Sequence, residues 1–285
     1  MTISNVDKVL WPHVGFTKGD MVAYYEAVAP VLLPYLAGRP LTMRRFPDGI
    51  DELGWYQYEC RGAPAWLRTV DVPYRDGTAR RFCVVDDAAA LLWVVNLATI
   101  ELHPLLFRAE APDHPSYVVF DLDPGPPADV VDCARVALFV RSELEQRGLS
   151  SVAKTSGSLG LHVYVPLDGT TRFGDAKAFA RVVARELTRA HPDRVVDRNA
   201  RALRGGKVLL DWLQNDPARS TVAPYSLRAL PWPTVSTPVT WEEVETTAMT
   251  GAAEPLTFTA ADVVRRVAAH GDLFRPALET KQRLP

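Results

Sequence analysis

Cysteine is scarce in the 285-residue sequence, with only Cys60, Cys83 and Cys133. Their odd number and wide spacing exclude a zinc motif and a disulfide framework, so three free thiols in a reducing cytosol are expected. No apolar run reaches ~18 residues without a charge, which excludes a transmembrane helix. The start, MTISNVDKVLWPH, lacks a basic stretch followed by a long apolar core, so neither a secretory signal nor a location outside the cytoplasm is expected. Repeats and low-complexity linkers are also missing. Neither sign of charge is in excess: 32 basic and 34 acidic residues leave a net charge of −2. A protein that coats nucleic acid by bulk electrostatics is therefore excluded, and any contact with nucleic acid must be local. Lysine is rare, 6 of the 32 basic residues, the remainder being Arg, whose planar fork suits phosphate. A GC-rich genome produces the same bias.

What is present is an ordinary globular balance, 47% hydrophobic and 23% charged, enough for one large or two small domains at ~150 residues each. Thr17 with Asp20 forms a capping box opening an amphipathic stretch to about Leu36, which Pro30 and Pro34 are expected to break into turns. PLTMRRFPDG reads as a strand with a turn, and residues 55–85 as further strands. Asp86 is a candidate N-cap for the apolar helix AALLWVVNLATIEL. Tyr117–Phe120 reads as a strand, 128–147 as a helix, SVAKT and LHVYVPL as strands around an SGSLG turn, 174–190 as a helix and KVLLDWL as a strand. Thr240 with Glu243, and Thr259 with Asp262, cap two late helices, and Gly271 ends the second. Strands and helices mix without strict alternation, which predicts an α+β fold of antiparallel strands flanked by helices. A boundary near residue 110 is conceivable, but no linker marks it, so residues 1–285 are read as a single unit.

The chemistry concentrates in three places. In VVFDLDPG, Asp121 and Asp123 are two apart, so on a strand both carboxylates face one side. Like charges so placed invite a divalent cation, although two solvated turn aspartates read equally well. Asp211 lies inside the apolar run KVLLDWLQ, where a charge needs water or a partner. Three aspartates on two strands are the ingredients of a two-metal site, and oxygen ligands favour Mg²⁺ or Mn²⁺. SGSLGLH combines small residues, able to turn N–H groups toward phosphate, with His162. Arg204, Lys207 and Arg228 are candidates to neutralise a triphosphate, or else solvated surface charges. His103 follows an apolar helix and reads as a core histidine as readily as a functional one. Trp55 and Tyr56 would point to opposite sides of a strand, one of them free to stack on a base. Lys8 and Lys18 flank the first helix and either grip a phosphate or are solvated.

Taken together, DLDPG, SGSLGLHVYVPL, RGGKVLLDWLQN and VAPYSLRA, with LHP upstream and ISNVDKVLWPHVGFTKGD at the start, resemble the polymerase domains of bacterial non-homologous end-joining ligase D. These belong to the archaeo-eukaryotic primase superfamily. The likeness runs in order from residue 3 to about residue 245, with nothing similar to a ligase or nuclease domain, so a stand-alone actinobacterial member is expected. It implies a primase-polymerase fold and a template-dependent nucleotidyl transferase that fills short gaps or ends, prefers ribonucleotides and uses two Mn²⁺ or Mg²⁺ ions. It implies that Asp121, Asp123 and Asp211 hold the metals and that His103 is needed for activity. Ser156, His162, Arg204, Gln214 and Arg228 would contact the nucleotide, Trp55 and Tyr56 the bases, and Lys8 and Lys18 a downstream 5′-phosphate. The implied partners are DNA with a gap or 5′-phosphorylated end, nucleoside triphosphates, and a separate ATP-dependent DNA ligase with Ku; no membrane is involved.

Two departures stand out. Leu159 replaces a basic residue common in the SGS-x-G turn, and Gln57-Tyr58-Glu59-Cys60 replaces a lysine after the aromatic pair. The alternatives are a primase that starts primers, a DNA end-binding or synapsis module with vestigial catalysis, and a metal-dependent phosphohydrolase.

Overall fold

The computed structural model describes residues 2–73 and 77–285. In chain order the elements are β1 (Val9–Trp11), β2 (Phe16–Thr17), α1 (Lys18–Leu36), β3 (Pro40–Arg45), β4 (Trp55–Gln57), β5 (Thr69–Pro73), β6 (Ala79–Val84), α2 (Ala88–Asn96) and β7 (Thr99–Pro104). They continue with β8 (Tyr117–Pro124), α3 (Val130–Gln146), β9 (Val152–Thr155), β10 (Leu161–Pro166), α4 (Phe173–Ala190), β11 (Val195–Val196) and β12 (Val208–Asp211). The last are β13 (Pro238–Val239), α5 (Trp241–Thr250), α6 (Ala260–His270) and α7 (Pro276–Glu279). This is the expected α+β class, although residues 74–76 of the 55–85 strand region lie outside the described residues.

The chain forms two compact units. The first comprises Met1–Glu110, Ser220–Ser236 and Phe258–Asp272; the second comprises Ala111–Arg219, Thr237–Thr257 and Leu273–Pro285. The first change of unit falls at 110/111, where the sequence admitted a boundary. The four later changes of unit carry no linker signature, which is why the sequence reads as continuous.

In the first unit β3 is the central strand. β7 pairs along one edge, while β6 and β4 share the other, at Pro40–Leu41 and Met43–Arg45 respectively. Every residue of β7 is buried. The Thr17–Asp20 capping box opens α1 as expected, but the helix runs unbroken through Pro30 and Pro34. Its buried face, including Tyr25, Val28, Leu32 and Leu36, holds the helix together where proline removes backbone donors. α2 is capped by Asp87 rather than Asp86, and the Asp87 side chain accepts from Ala90 N.

Cys60 and Cys83 are joined in a disulfide with Cα atoms 4.9 Å apart, and Cys133 alone is free and buried. This corrects the expectation of three free thiols. Cys60 N donates to Arg81 O, which lays the chain after β4 against β6 within bridging distance. That juxtaposition arises from strand pairing and is invisible in the spacing.

The second unit is built on a six-stranded sheet in the order β11-β12-β8-β10-β9-β13, antiparallel except for β11 with β12. β8, apolar and buried along YVVF, lies at its heart. Among the described residues no helix is long and apolar enough to cross a membrane.

Candidate active site

β8 extends beyond Phe120, through both aspartates to Pro124, because it has a ladder on each edge. Asp121 stands opposite His162 of β10 and opposite Asp211 of β12, and Asp123 stands opposite Leu209. Asp121 and Asp123 thus share one face of the central strand, with Asp211 in the neighbouring strand beside them. Two glycines permit this. A Cβ on Gly160 would come 2.1 Å from Leu122 O, and one on Gly125 would come 2.0 Å from Arg204 O.

KVLLDWL is a strand only as far as Asp211. A single 3₁₀ turn over Trp212–Gln214 follows, its Leu213 N–H capped by the Asp211 carboxylate at 2.9 Å. The turn swings Gln214 back, so that its Nε2 donates to Asp121 Oδ2 at 3.1 Å. Asn215 locks the turn by exchanging two hydrogen bonds of 2.8 Å with the Val119 backbone.

The other Asp121 oxygen meets His162 Nε2 at 3.1 Å, and Lys154 Nζ lies 2.9 Å from His162 Nδ1. Lys154 is fully buried. An ammonium only donates, so Nδ1 accepts and Nε2 carries the proton directed at Asp121. Burial alone would raise the Asp121 pKa. The His162 and Gln214 contacts and the Lys154 charge outweigh it and hold the carboxyl below the usual range. Asp211 is shifted the other way, upward, by burial and by the nearby Asp121 charge.

Ser156 Oγ accepts from Ser158 N at 3.1 Å and Gly160 N at 3.0 Å, so the serine itself fills part of the SGSLG nest. Arg204 donates to Asn199 Oδ1 at 3.0 Å and reaches the Asp123 carbonyl at 3.5 Å. Its buried Nε has no hydrogen-bond partner among the described residues. A cavity of about 590 Å³ opens beside it, lined by Pro124, Gly125, Pro126, Asn199 and Arg201. Lys207 turns away, donating to Pro192 O at 2.8 Å.

Among the described residues no three His, Cys, Asp or Glu side chains close into a metal cage. The donor set nevertheless fits a hard cation. It is all oxygen, and the buried Gln214 Oε1 has no hydrogen-bond partner among the described residues. Mg²⁺ is characteristically held by one or two carboxylates, with substrate phosphates and water completing its shell.

The remaining predicted residues lie in the first unit. Glu101, fully buried on β7, is the hub for two of them, His103 and Arg228. It binds His103 Nε2 at 2.8 Å, Arg44 Nη1 at 2.7 Å and Ala229 N at 3.0 Å, with Arg228 Nε 3.3 Å away. Burial opposes ionisation of Glu101, but His103 and Arg228 overcome it and hold the carboxyl well below the usual range. Burial, with the Arg228 and Arg44 charges, lowers the His103 pKa despite Glu101.

Trp55 and Tyr56 on β4 are both about half exposed, 45% and 46%, rather than one in and one out. Arg45 lies over the Trp55 ring and Arg44 over Tyr56, and a groove of about 250 Å³ runs from this pair past Tyr58, Glu59, Arg61 and Arg80. Lys8 pairs with Asp48 at 2.7 Å and stays partly exposed. Lys18 is buried, its ammonium bound by Ser4 O, Ser4 Oγ and Asn96 Oδ1. Burial and the nearby Lys8 lower its pKa.

Sequence reasoning missed Glu101, Arg44, Lys154 and Asn215. Glu101 in TIELHP and Lys154 in SVAKT are charges within apolar strands, the signal that singled out Asp211.

A model of the family described as LigD, primase-polymerase domain, matches residues 17–274. The multifunctional non-homologous end joining DNA repair protein LigD of Mycobacterium tuberculosis is 39% identical over 283 residues, covering 96% of this chain and 36% of the relative. The Mycolicibacterium smegmatis LigD is 37% identical over 281 residues, 96% of this chain and 35% of its own. The chain thus spans about a third of the length of these curated relatives. The solved structure of the polymerase domain from Mycobacterium tuberculosis Ligase D in complex with DNA matches with a TM-score of 0.91 and 37% identity, over 99% of each chain. On the family match, the identity and the shared fold, the chain belongs to the LigD primase-polymerase domain family.

Proposed function

We propose that this protein is a template-dependent nucleotidyl transferase that fills short gaps or ends during DNA end joining and prefers ribonucleotides. The observation that carries the reading is the alignment of Asp121, Asp123 and Asp211 across β8 and β12, with His162 and Gln214 bound to Asp121. Asp121, Asp123 and Asp211 would hold Mg²⁺ or Mn²⁺. When bound, such ions lower the pKa of a primer 3′-hydroxyl and offset triphosphate charge.

The chain's own residues do the remainder. Lys154 and His162 keep a proton on Nε2, directed at the Asp121 carboxylate. Arg204, with an uncommitted buried Nε, offers a cation to the triphosphate, as does Arg228. Lys207, tied to Pro192 O, is a weaker candidate for that task. Ser156 is assigned to the sugar and His103 to activity, from the likeness to the family. Trp55 and Tyr56 present exposed rings for stacking on bases. Lys8 is the candidate 5′-phosphate grip, and Lys18, the second lysine the likeness points to, is held beside it by Ser4 and Asn96. Gapped DNA, nucleoside triphosphates, Ku and a separate DNA ligase are the proposed partners.

The test is extension of a primer across a gap with and without a 5′-phosphate, offering ribo- and deoxynucleotides with Mn²⁺ or Mg²⁺. Faster ribonucleotide insertion that is lost in Asp121→Ala supports the reading. Unimpaired extension by Asp121→Ala, or phosphate release from a triphosphate without DNA, overturns it. Dinucleotide synthesis on a bare template would instead indicate a primase.

A further inference from the structure

The Glu101 cluster is more than a buried ion pair. We propose that Glu101 is a positioning residue that fixes the tautomer of His103 and fastens Arg228 beside it, so that the two act as one unit beneath the Tyr56 ring. The proposal rests on the nucleotidyl transferase reading for its catalytic consequence, but not for its geometry.

Glu101 and His103 are two apart on β7 and share a face. Arg44 lies opposite Glu101 across the β3–β7 ladder, and Thr42 lies opposite His103. The segment carrying Arg228 is sewn to the same strand, because Ala223 N donates to Leu102 O and Leu102 N donates to Ser226 Oγ. Three donors therefore converge on the two carboxylate oxygens, with a second guanidinium charge beside them: Oε1 receives Arg44 and Ala229 N and has Arg228 Nε 3.3 Å away as an ion pair, and Oε2 receives His103.

An ionised carboxylate only accepts, so the imidazole proton must sit on Nε2. His103 Nδ1 then carries a lone pair, and it makes no hydrogen bond to any described residue. Two guanidinium charges against one carboxylate leave the cluster net positive, which favours the neutral imidazole. Such a ring presents a fixed acceptor on one side only.

The cluster also touches Tyr56, which lines the exposed aromatic groove. His103 meets Tyr56 edge to face at 5.5 Å, and the Arg44 guanidinium lies 5.4 Å from the same ring. Among the described residues, the titratable or charged groups facing His103 are Glu101 on its own strand, Arg44 on β3, Tyr56 on β4 and Arg228 on the returning segment. A buried carboxylate costs desolvation that an apolar pair would avoid, so the ring of donors around Glu101 serves specificity of arrangement rather than stability.

The test uses full-length protein with ¹⁵N-labelled histidine, and the His103 resonances are identified by their loss in His103→Ala. The parent is expected to hold His103 at neutral pH in the Nε2–H tautomer, and Glu101→Gln to show a mixture. Primer extension by Glu101→Gln should fall at least tenfold, and Glu101→Gln/His103→Ala should fall no more than about threefold below His103→Ala alone. An Nδ1–H tautomer in the parent overturns the proposal, and needs no folded Glu101 variant. So does a Glu101→Gln protein of parental rate, or one whose loss is undiminished in the His103→Ala background. If the parent fails to extend primers, the reading of function falls while the tautomer still decides the role of Glu101.

Discussion

At the residue scale, the two facing aspartates are unequal. Asp121 is stabilised as an anion by His162 and Gln214, whereas Asp211 is pushed up by burial and by Asp121. A carboxyl with a raised folded-state pKa favours the native state below its unfolded value, near 3.9, and loses that contribution as pH rises through the folded value. Asp211→Asn removes the charge yet keeps an oxygen to accept from Leu213 N. The metal-free variant should therefore melt higher than the parent at pH 7, with the advantage shrinking toward pH 4, while extension is lost. Equal melting at both pH values in a thermal scan would contradict the assignment.

The elements are held by close backbone approaches and one covalent link. Gly160→Ala drives a methyl into Leu122 O at the strand crossing, whereas Gly205 has open space and an ordinary φ. Gly160→Ala should cost about 1–3 kcal/mol and lower the melting temperature by several degrees, and Gly205→Ala should be near neutral. The Cys60–Cys83 bond closes a span of 23 residues, a constraint worth about 3 kcal/mol in the chain-entropy account. Reduction should lower the melting temperature by roughly 6–10 °C, and Cys60→Ser/Cys83→Ser should reproduce the reduced value.

The elements were largely legible in the sequence because caps and apolar periodicity are local. Thr17–Asp20, Thr240–Glu243 and Thr259–Asp262 all form the anticipated capping boxes. The continuity of α1 through two prolines was not legible, since packing of its inner face decides it. Of the site, Asp121, Asp123 and Asp211 announced themselves as charges in apolar strands, but their partners Lys154 and Gln214 depend on register and on a 3₁₀ turn that no motif encodes.

At the scale of the whole molecule, a net charge of −2 makes the proposed DNA affinity a matter of local cations. Lys8 is exposed enough to be lent to a phosphate, while Lys18 is already saturated by Ser4 and Asn96. Lys8→Ala should reduce any preference for a 5′-phosphorylated gap by about two- to fivefold, the worth of one exposed charge pair, and added salt should shrink it further. Lys18→Ala should mainly lower stability; a fluorescence titration in which only Lys18→Ala loses end discrimination would reverse these roles. The placement of β8 between β10 and β12 also sets a timetable. Asp121 and Asp211 are 90 positions apart in the chain, yet they are neighbours across one ladder. Closing so long a loop is slow compared with forming the capped helices. On refolding from denaturant, helical signal should return first and the ability to extend a primer last, because the carboxylates do not share a site until distant strands have found their register.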